Sequence, residues 1–161
     1  MKKLLLTLLS LILLLSTVSC NNYDEPISVT QTFHGCEFTI TLDKGKYKLG
    51  DVGIVTAKIV NKSGKPVSLY SWSEYEYVQF YFLEDGKLKF TNASEAVRDI
   101  TLYHDIPDGK EYVYDMSFDL TAPEGTQEPL NPGSEWKIKA DADIIFDNEG
   151  ETISLEIIVP H

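Results

Sequence analysis

Side chains that could act as nucleophiles, bases or zinc ligands are few in this sequence. The three histidines are His34, His104 and His161, and none belongs to a His-Glu-x-x-His pattern, which would place two zinc ligands on one helix face. There is no Gly-x-Ser-x-Gly nucleophile elbow and no glycine-rich phosphate loop. Cys36 lies close to His34, but a catalytic cysteine needs a lowered pKa and a positioned base, and an acidic chain offers little positive potential. The sequence predicts a protein that is not an enzyme and has no cofactor; an enzyme would need His104 and nearby carboxylates to line a cleft.

Acidic side chains cluster near the end of the chain. The cluster consists of Asp141, Asp143, Asp147, Asn148, Glu149 and Glu151. Calcium needs about six to eight oxygen atoms that converge on one point. The Asp-x-Asp-x-Asp-Gly spacing of a calcium loop is absent, and Asp141 and Asp143 would share one face of a strand. We therefore expect a solvated strand face followed by a turn, and no metal site.

Aromatic and acidic residues alternate in an unusual stretch at positions 70–77, Tyr-Ser-Trp-Ser-Glu-Tyr-Glu-Tyr. Exposed aromatic rings stack on sugar rings or anchor protein interfaces. Trp72, Tyr75 and Tyr77 are therefore our candidate ligand-binding residues. In the alternative interpretation, Tyr75 and Tyr77 lie on the surface of a sheet. The apolar core then contains Tyr70, Trp72, Val78, Phe80 and Phe82.

Alternation with a period of two dominates the chain after about residue 28. Between Trp136 and Phe146 every second residue is apolar, and lysine and aspartate residues stand between them. The same alternation runs through residues 112–120 and 153–159. Only a β-strand places every second side chain on one face, so these segments are predicted to be strands with one buried face.

Further strands are predicted at residues 29–33, 37–42, 54–61, 67–72, 78–83, 88–90 and 99–104. Turn signals punctuate them at Gly45 and at residues 63–66, 85–86, 107–109, 123–125, 131–133 and 148–150. Asp85-Gly86 is the strongest hairpin signal, because a tight turn needs positive φ. About eight to ten short strands with regular turns predict an all-β fold, an immunoglobulin-like antiparallel β-sandwich.

Several of these turns and strands also occur together in a known family. They are Lys48-Leu49-Gly50-Asp51, Ile59-Val60-Asn61, Gly64-Lys65-Pro66-Val67, Val78-Gln79-Phe80-Tyr81-Phe82, Asp85-Gly86-Lys87 and Leu130-Asn131-Pro132-Gly133. The arrangement resembles the BsuPI family of intracellular proteinase inhibitors over about residues 45 to 158. The resemblance implies a sandwich fold and, as an alternative function, proteinase inhibition; it assigns no inhibitory residue.

The N-terminus has the features of an export signal. Two lysines precede a short leucine-rich run, which is too short to span a bilayer comfortably. Thr17-Val18-Ser19-Cys20 resembles the lipobox of bacterial lipoproteins, with threonine where leucine is usual. The resemblance implies cleavage before Cys20 and lipid on that cysteine. We expect a signal peptide at 1–19, a lipidated cysteine and polar tether at 20–27, and one sandwich domain at 28–161.

The net charge and the predicted localisation limit the kinds of partner that this protein is expected to bind. The chain carries a formal charge of −11, which becomes −13 without Lys2 and Lys3, so nucleic acid is not an expected partner. Cys36 has no cysteine left to pair with once Cys20 is lipidated, and we expect a small buried side chain there. The sequence predicts a non-catalytic lipoprotein held in the cell envelope, at the outer membrane, by lipid on Cys20, with the domain either periplasmic or exposed at the cell surface. Its expected role is to bind a protein or glycan.

Overall fold

The structure, a computed structural model, describes residues 23–71, 76–92, 101–120 and 130–161. The predicted signal peptide and the predicted lipidated Cys20 lie outside these described residues. Within them no helix is long and apolar enough to cross a membrane. Among these described residues, the buried apolar core runs from Cys36 to Val159, so the segment from residue 23 onward contains its own folding core.

Ten strands make up the described part of the chain, all paired in antiparallel fashion. They are β1 Ile27–Phe33, β2 Cys36–Leu42, β3 Val52–Asn61, β4 Val67–Ser71, β5 Val78–Glu84, β6 Lys87–Thr91, β7 Leu102–Ile106, β8 Glu111–Asp119, β9 Trp136–Phe146 and β10 Glu149–Ile158. One sheet has four strands in the order β1-β2-β3-β8. The other has six, in the order β6-β5-β9-β4-β7 with β10 on the second edge of β9. The predicted all-β, immunoglobulin-like sandwich is confirmed.

The core forms between the two sheets because each strand buries alternate side chains. Strand β9 shows this over its full length, with a buried residue at every second position from Trp136 to Phe146. Strands β2 and β5 alternate in the same way. Cys36 is fully buried at the start of β2, as the sequence predicted. One-face burial fixes the register, since a one-residue slip would turn every apolar side chain outward.

Three hairpins close on two-residue turns in which both residues have positive φ. These turns are His34-Gly35, Asp85-Gly86 and Asp147-Asn148. Such turns match the right-handed twist of the flanking strands. The predicted Asp85-Gly86 hairpin is present between β5 and β6.

Three details of the sequence prediction are wrong. The turn expected at residues 148–150 lies one residue earlier, and Gly150 belongs to β10. The strand expected at 99–104 runs from Leu102 to Ile106. Tyr70 is not a core residue, because Leu69 and Ser71 take the buried positions of β4 and Tyr70 faces outward.

Candidate functional site

The six-stranded sheet divides along one edge of β9. On that edge β5 pairs with residues from Trp136 to Ala142, and β4 takes over from Asp143 to Ile145. The chain therefore crosses from β4 to β5 at the point where the sheet splits. The described residues of the aromatic stretch lie at the end of β4 (Tyr70 and Ser71) and just before β5 (Glu76 and Tyr77).

A cleft of about 240 Å³ lies on the outer face of the sheet beside the split. We call it the tyrosine cleft, and its walls are Tyr70, Ser71, Glu76, Tyr77, Gln79, Tyr81, Asp141, Asp143 and Thr152. Gln79, Tyr81, Asp141 and Asp143 point outward because their neighbours along β5 and β9 are the buried residues of the core. The alternation that builds the core thus also places rings and carboxylates on one outer surface.

At one end of the cleft, Tyr81 and Asp141 hold a lysine between them. Lys139 lies with its Nζ atom 5.4 Å from the centre of the Tyr81 ring and 2.7 Å from Asp141 Oδ2. The hydrogen bond to Asp141 raises the pKa of Lys139, so this ammonium stays charged. Ser154 donates a hydrogen bond to the other oxygen of Asp141 at 2.7 Å. The Tyr81 hydroxyl donates to Gln79 Oε1 at 2.6 Å.

Tyr70 and Asp143 form a second ring and carboxylate at the other end. They lie directly opposite each other on β4 and β9. Thr152 donates a hydrogen bond to Asp143 Oδ1 at 2.5 Å. Burial, followed by the charge of Asp143, raises the pKa of Tyr70 and keeps its hydroxyl protonated. A Cβ atom on Gly150 would come within 3.0 Å of the Tyr70 hydroxyl, so this glycine leaves the space in which the ring lies.

Tyr77 also lines the cleft; it is half-buried and packs against the apolar core. Its ring lies 5.5 Å from the ring of His104 and 5.9 Å from that of Tyr112. Its hydroxyl donates to the carbonyl of Tyr103 at 3.2 Å. The adjacent Glu76 accepts a hydrogen bond from the Tyr114 hydroxyl at 2.9 Å, and its Oε2 atom is buried with no hydrogen-bond partner among the described residues.

The structure thus brings one predicted site residue, Tyr77, into the cleft. Trp72 and Tyr75 lie outside the described residues. Sequence reasoning missed Tyr70, which it assigned to the core, and Tyr81. The signal that could have found Tyr81 was the alternation of β5, in which Gln79 and Tyr81 stand between the buried residues Val78, Phe80 and Phe82.

The possible catalytic residues do not converge in the described part of the chain. Cys36 is buried, and burial raises its thiol pKa, which is unfavourable for a nucleophile. His34 is exposed, with Nε2 2.9 Å from Glu151 Oε2. His104 packs its ring on Tyr112 at 5.0 Å. No group of three or more histidine, cysteine or acidic side chains in this part is placed to hold a metal ion.

Two antiparallel sheets with a buried apolar layer, and a polar aromatic cleft on one outer face, define an immunoglobulin-like β-sandwich protein. No protein-family model matches the sequence, and no curated protein matches it either. Among solved structures, the sporulation control protein Spo0M from Bacillus subtilis is similar over 84% of this chain, with 13% identity and a TM-score of 0.40. The chain spans 49% of the length of Spo0M. The structural genomics target SoR45 is similar over 89% of this chain and 90% of its own, with 11% identity and a TM-score of 0.40.

Proposed function

We propose that this chain is a non-catalytic lipoprotein of the cell envelope, anchored by lipid on Cys20, whose sandwich domain binds a ligand in the tyrosine cleft. The observation that carries the binding role is the cleft itself, where three tyrosines, Gln79 and two aspartates share one concave outer surface. Ligand sites combine aromatic walls with a few polar groups that fix orientation. The bound ligand is a protein or a glycan, because both present apolar faces beside hydrogen-bonding groups.

The anchoring part of the proposal rests on the first twenty residues. A basic start, a short apolar run and the lipobox-like Thr17-Val18-Ser19-Cys20 support export followed by lipid attachment. One acyl chain binds a membrane only weakly and reversibly, whereas two or three hold a protein firmly. Asn21 to Pro26 would then separate the lipid from the first strand, which begins at Ile27, the last residue of the predicted tether.

Two measurements test the anchor. Mass spectrometry of protein purified from cells should give a mature chain that starts at Cys20 and carries lipid. Substitution of Cys20 by serine should remove the lipid and release the domain from the membrane fraction. A chain that retains residues 1–19 and is recovered in the soluble fraction would contradict the anchor.

Cross-linking at the cleft tests the binding role. A photo-reactive amino acid introduced at Gln79, on the cleft wall, should cross-link a discrete ligand in intact cells. The matched control carries the same group at Thr39, on the outer face of the four-stranded sheet. Equal labelling at both positions would contradict a role for the cleft. Inhibition of a subtilisin-like protease by micromolar domain would replace the proposal with the inhibitor alternative.

A further inference from the structure

We propose that the tyrosine cleft recognises a basic segment of a partner protein, and that the Tyr70 and Asp143 end of the cleft receives a lysine or arginine side chain. The inference rests on the proposed binding function and names the chemistry of its ligand. It starts from a likeness between the two ends of the cleft.

The Tyr81 end shows that this arrangement of ring and carboxylate holds an ammonium group. Lys139 reaches the Tyr81 ring and the Asp141 carboxylate at the same time, at 5.4 Å and 2.7 Å. An aromatic face attracts a cation through its quadrupole, and a carboxylate accepts the ammonium's hydrogen bonds. The chain therefore supplies an internal example of the ligand group.

The Tyr70 end offers the same two groups, a tyrosine ring and a carboxylate, two residues further along β9. The register differs, because Tyr81 is paired with Lys139 whereas Tyr70 is paired with the carboxylate-bearing Asp143 itself. Asp143 follows Asp141 on the same face, and Tyr70 lies directly opposite Asp143. No lysine or arginine of the described residues forms an ion pair with Asp143. Thr152 donates one hydrogen bond to Asp143 Oδ1. A cationic side chain from a partner would take the place that Lys139 takes at the other end.

Charge favours a cation over a neutral sugar. Asp141, Asp143 and Glu76 line the cleft, and Lys139 neutralises one of these three carboxylates. The buried Oε2 atom of Glu76 adds negative potential that no donor of the described residues offsets. The whole chain is acidic, so its field attracts basic ligands over a longer range.

The lining also favours a protein segment over a free polyamine. Gln79 and Thr152 carry amide and hydroxyl groups beside the carboxylates. The amide N–H groups of Gln79 can donate to the carbonyls of a bound segment, whereas a protonated polyamine offers no acceptor to them. The Thr152 hydroxyl already donates to Asp143, so it can accept from a peptide N–H of the segment. A quaternary ammonium ligand is disfavoured because it has no N–H to donate to Asp143.

Titration of the ¹⁵N-labelled chain from Asn21 to His161 with tri-lysine peptide tests the inference. The amide signals of Tyr70, Tyr81 and Asp143 should shift, and Asp143→Asn should weaken binding at least tenfold. Asp115→Asn is the matched control, because it removes the same charge from the outer face of the four-stranded sheet; its affinity should stay within twofold. Tyr70→Leu provides a second loss variant if Asp143→Asn disturbs the fold.

Lys139→Met gives the sharpest test of the likeness between the two ends. It vacates the Tyr81 end and should make tri-lysine bind severalfold more tightly. Tri-lysine acetylated at each Nε atom should not bind, and spermidine should bind more weakly than tri-lysine. Unchanged tri-lysine affinity in Asp143→Asn, or no shift with tri-lysine at all, would overturn the inference.

The same titration separates this inference from the proposed function. If a neutral oligosaccharide such as maltotetraose or cellotetraose shifts the cleft signals and tri-lysine does not, the cationic ligand is wrong and the binding role stands. If spermidine binds as tightly as tri-lysine, a small polyamine replaces the protein segment. Failure of the cellular cross-linking at Gln79 would remove the binding role itself.

Discussion

Replacing Asn61 with leucine tests how the end of the sandwich is held together. Asn61 is the last residue of β3 and is fully buried. Its Nδ2 atom donates to the carbonyls of Lys65 and Ile106 at 2.7 and 2.8 Å. Its Oδ1 atom accepts from the backbone N–H of Ser63 at 3.0 Å and from the Ser63 hydroxyl at 2.7 Å. One amide thus joins β3 to the turn before β4 and to the end of β7.

The expected loss follows from the groups that leucine leaves without a partner. A buried polar group that loses its hydrogen bond costs about 1–3 kcal/mol. The Ile106 carbonyl is buried, so leaving it without a hydrogen bond should cost close to the upper value. The Lys65 and Ser63 groups lie closer to solvent, and their loss together should cost about 1 kcal/mol. We therefore expect Asn61→Leu to lower the free energy of unfolding by about 3–4 kcal/mol.

Urea unfolding of the chain from residue 21 onward, followed by tryptophan fluorescence, measures this loss. With a slope of roughly 1–3 kcal/mol per molar urea, the midpoint should fall by about 2 M at an unchanged slope. Ser63→Ala is the control, because it removes only the hydroxyl and should cost about 1 kcal/mol or less. A decrease below about 0.5 M for Asn61→Leu would refute the reasoning, since it would mean that solvent replaces the amide without penalty.

Three further substitutions have defined outcomes. Glu84 is buried beside Lys89; burial raises the pKa of its carboxyl, but hydrogen bonds from Lys89 and from a backbone N–H lower that pKa overall. Glu84→Gln should therefore lower the free energy of unfolding by about 2–4 kcal/mol at pH 7, measured by urea unfolding. The difference from wild type should shrink as acid protonates the wild-type carboxyl. Gly53 lies opposite Phe118 with no room for a Cβ, so Gly53→Ala should cost about 1–3 kcal/mol, and an unchanged urea midpoint would contradict this packing. Burial raises the pKa of Tyr112 to about 12, so the wild-type domain should lose stability as pH rises from 10 to 12, and Tyr112→Phe should lose less in stability curves across that interval.

Periodicity in the sequence was enough to predict the strands and the faces they bury. Strand β9 alternates over its whole length, and only a strand with one buried face satisfies that pattern. The Asp85-Gly86 hairpin follows as directly, because both residues must adopt positive φ and the flanking segments alternate. Strand alternation and tight turns depend on residues that are adjacent in the chain, so both can be predicted from the sequence alone.

The face of Tyr70 could not be predicted in the same way. Strand β4 has only five residues, Val67–Ser71, and a serine occupies one of its buried positions. A short strand with a polar residue at a buried position gives no clear alternation, and composition alone assigns an aromatic side chain there to the core. The sequence predicts that Gly150 is a turn residue because glycine is common in turns, but it lies within β10. Its lack of a side chain makes room for the Tyr70 hydroxyl, which comes from β4.

The cleft depends on pairing between strands that are distant in the sequence. Tyr70 and Tyr81 belong to β4 and β5, and they reach one surface only because both strands pair with the same edge of β9. That shared edge also sets the spacing of the two carboxylates, since Asp141 faces β5 and Asp143 faces β4. These outward residues of β9 do not belong to the apolar core, so they can change while the core alternation of the strand is kept. The outer face of β9 is therefore where ligand preference can be altered. Exchange of Asp143 for lysine leaves two carboxylates, Asp141 and Glu76, against two lysines in the cleft, so it should abolish tri-lysine binding in the NMR titration.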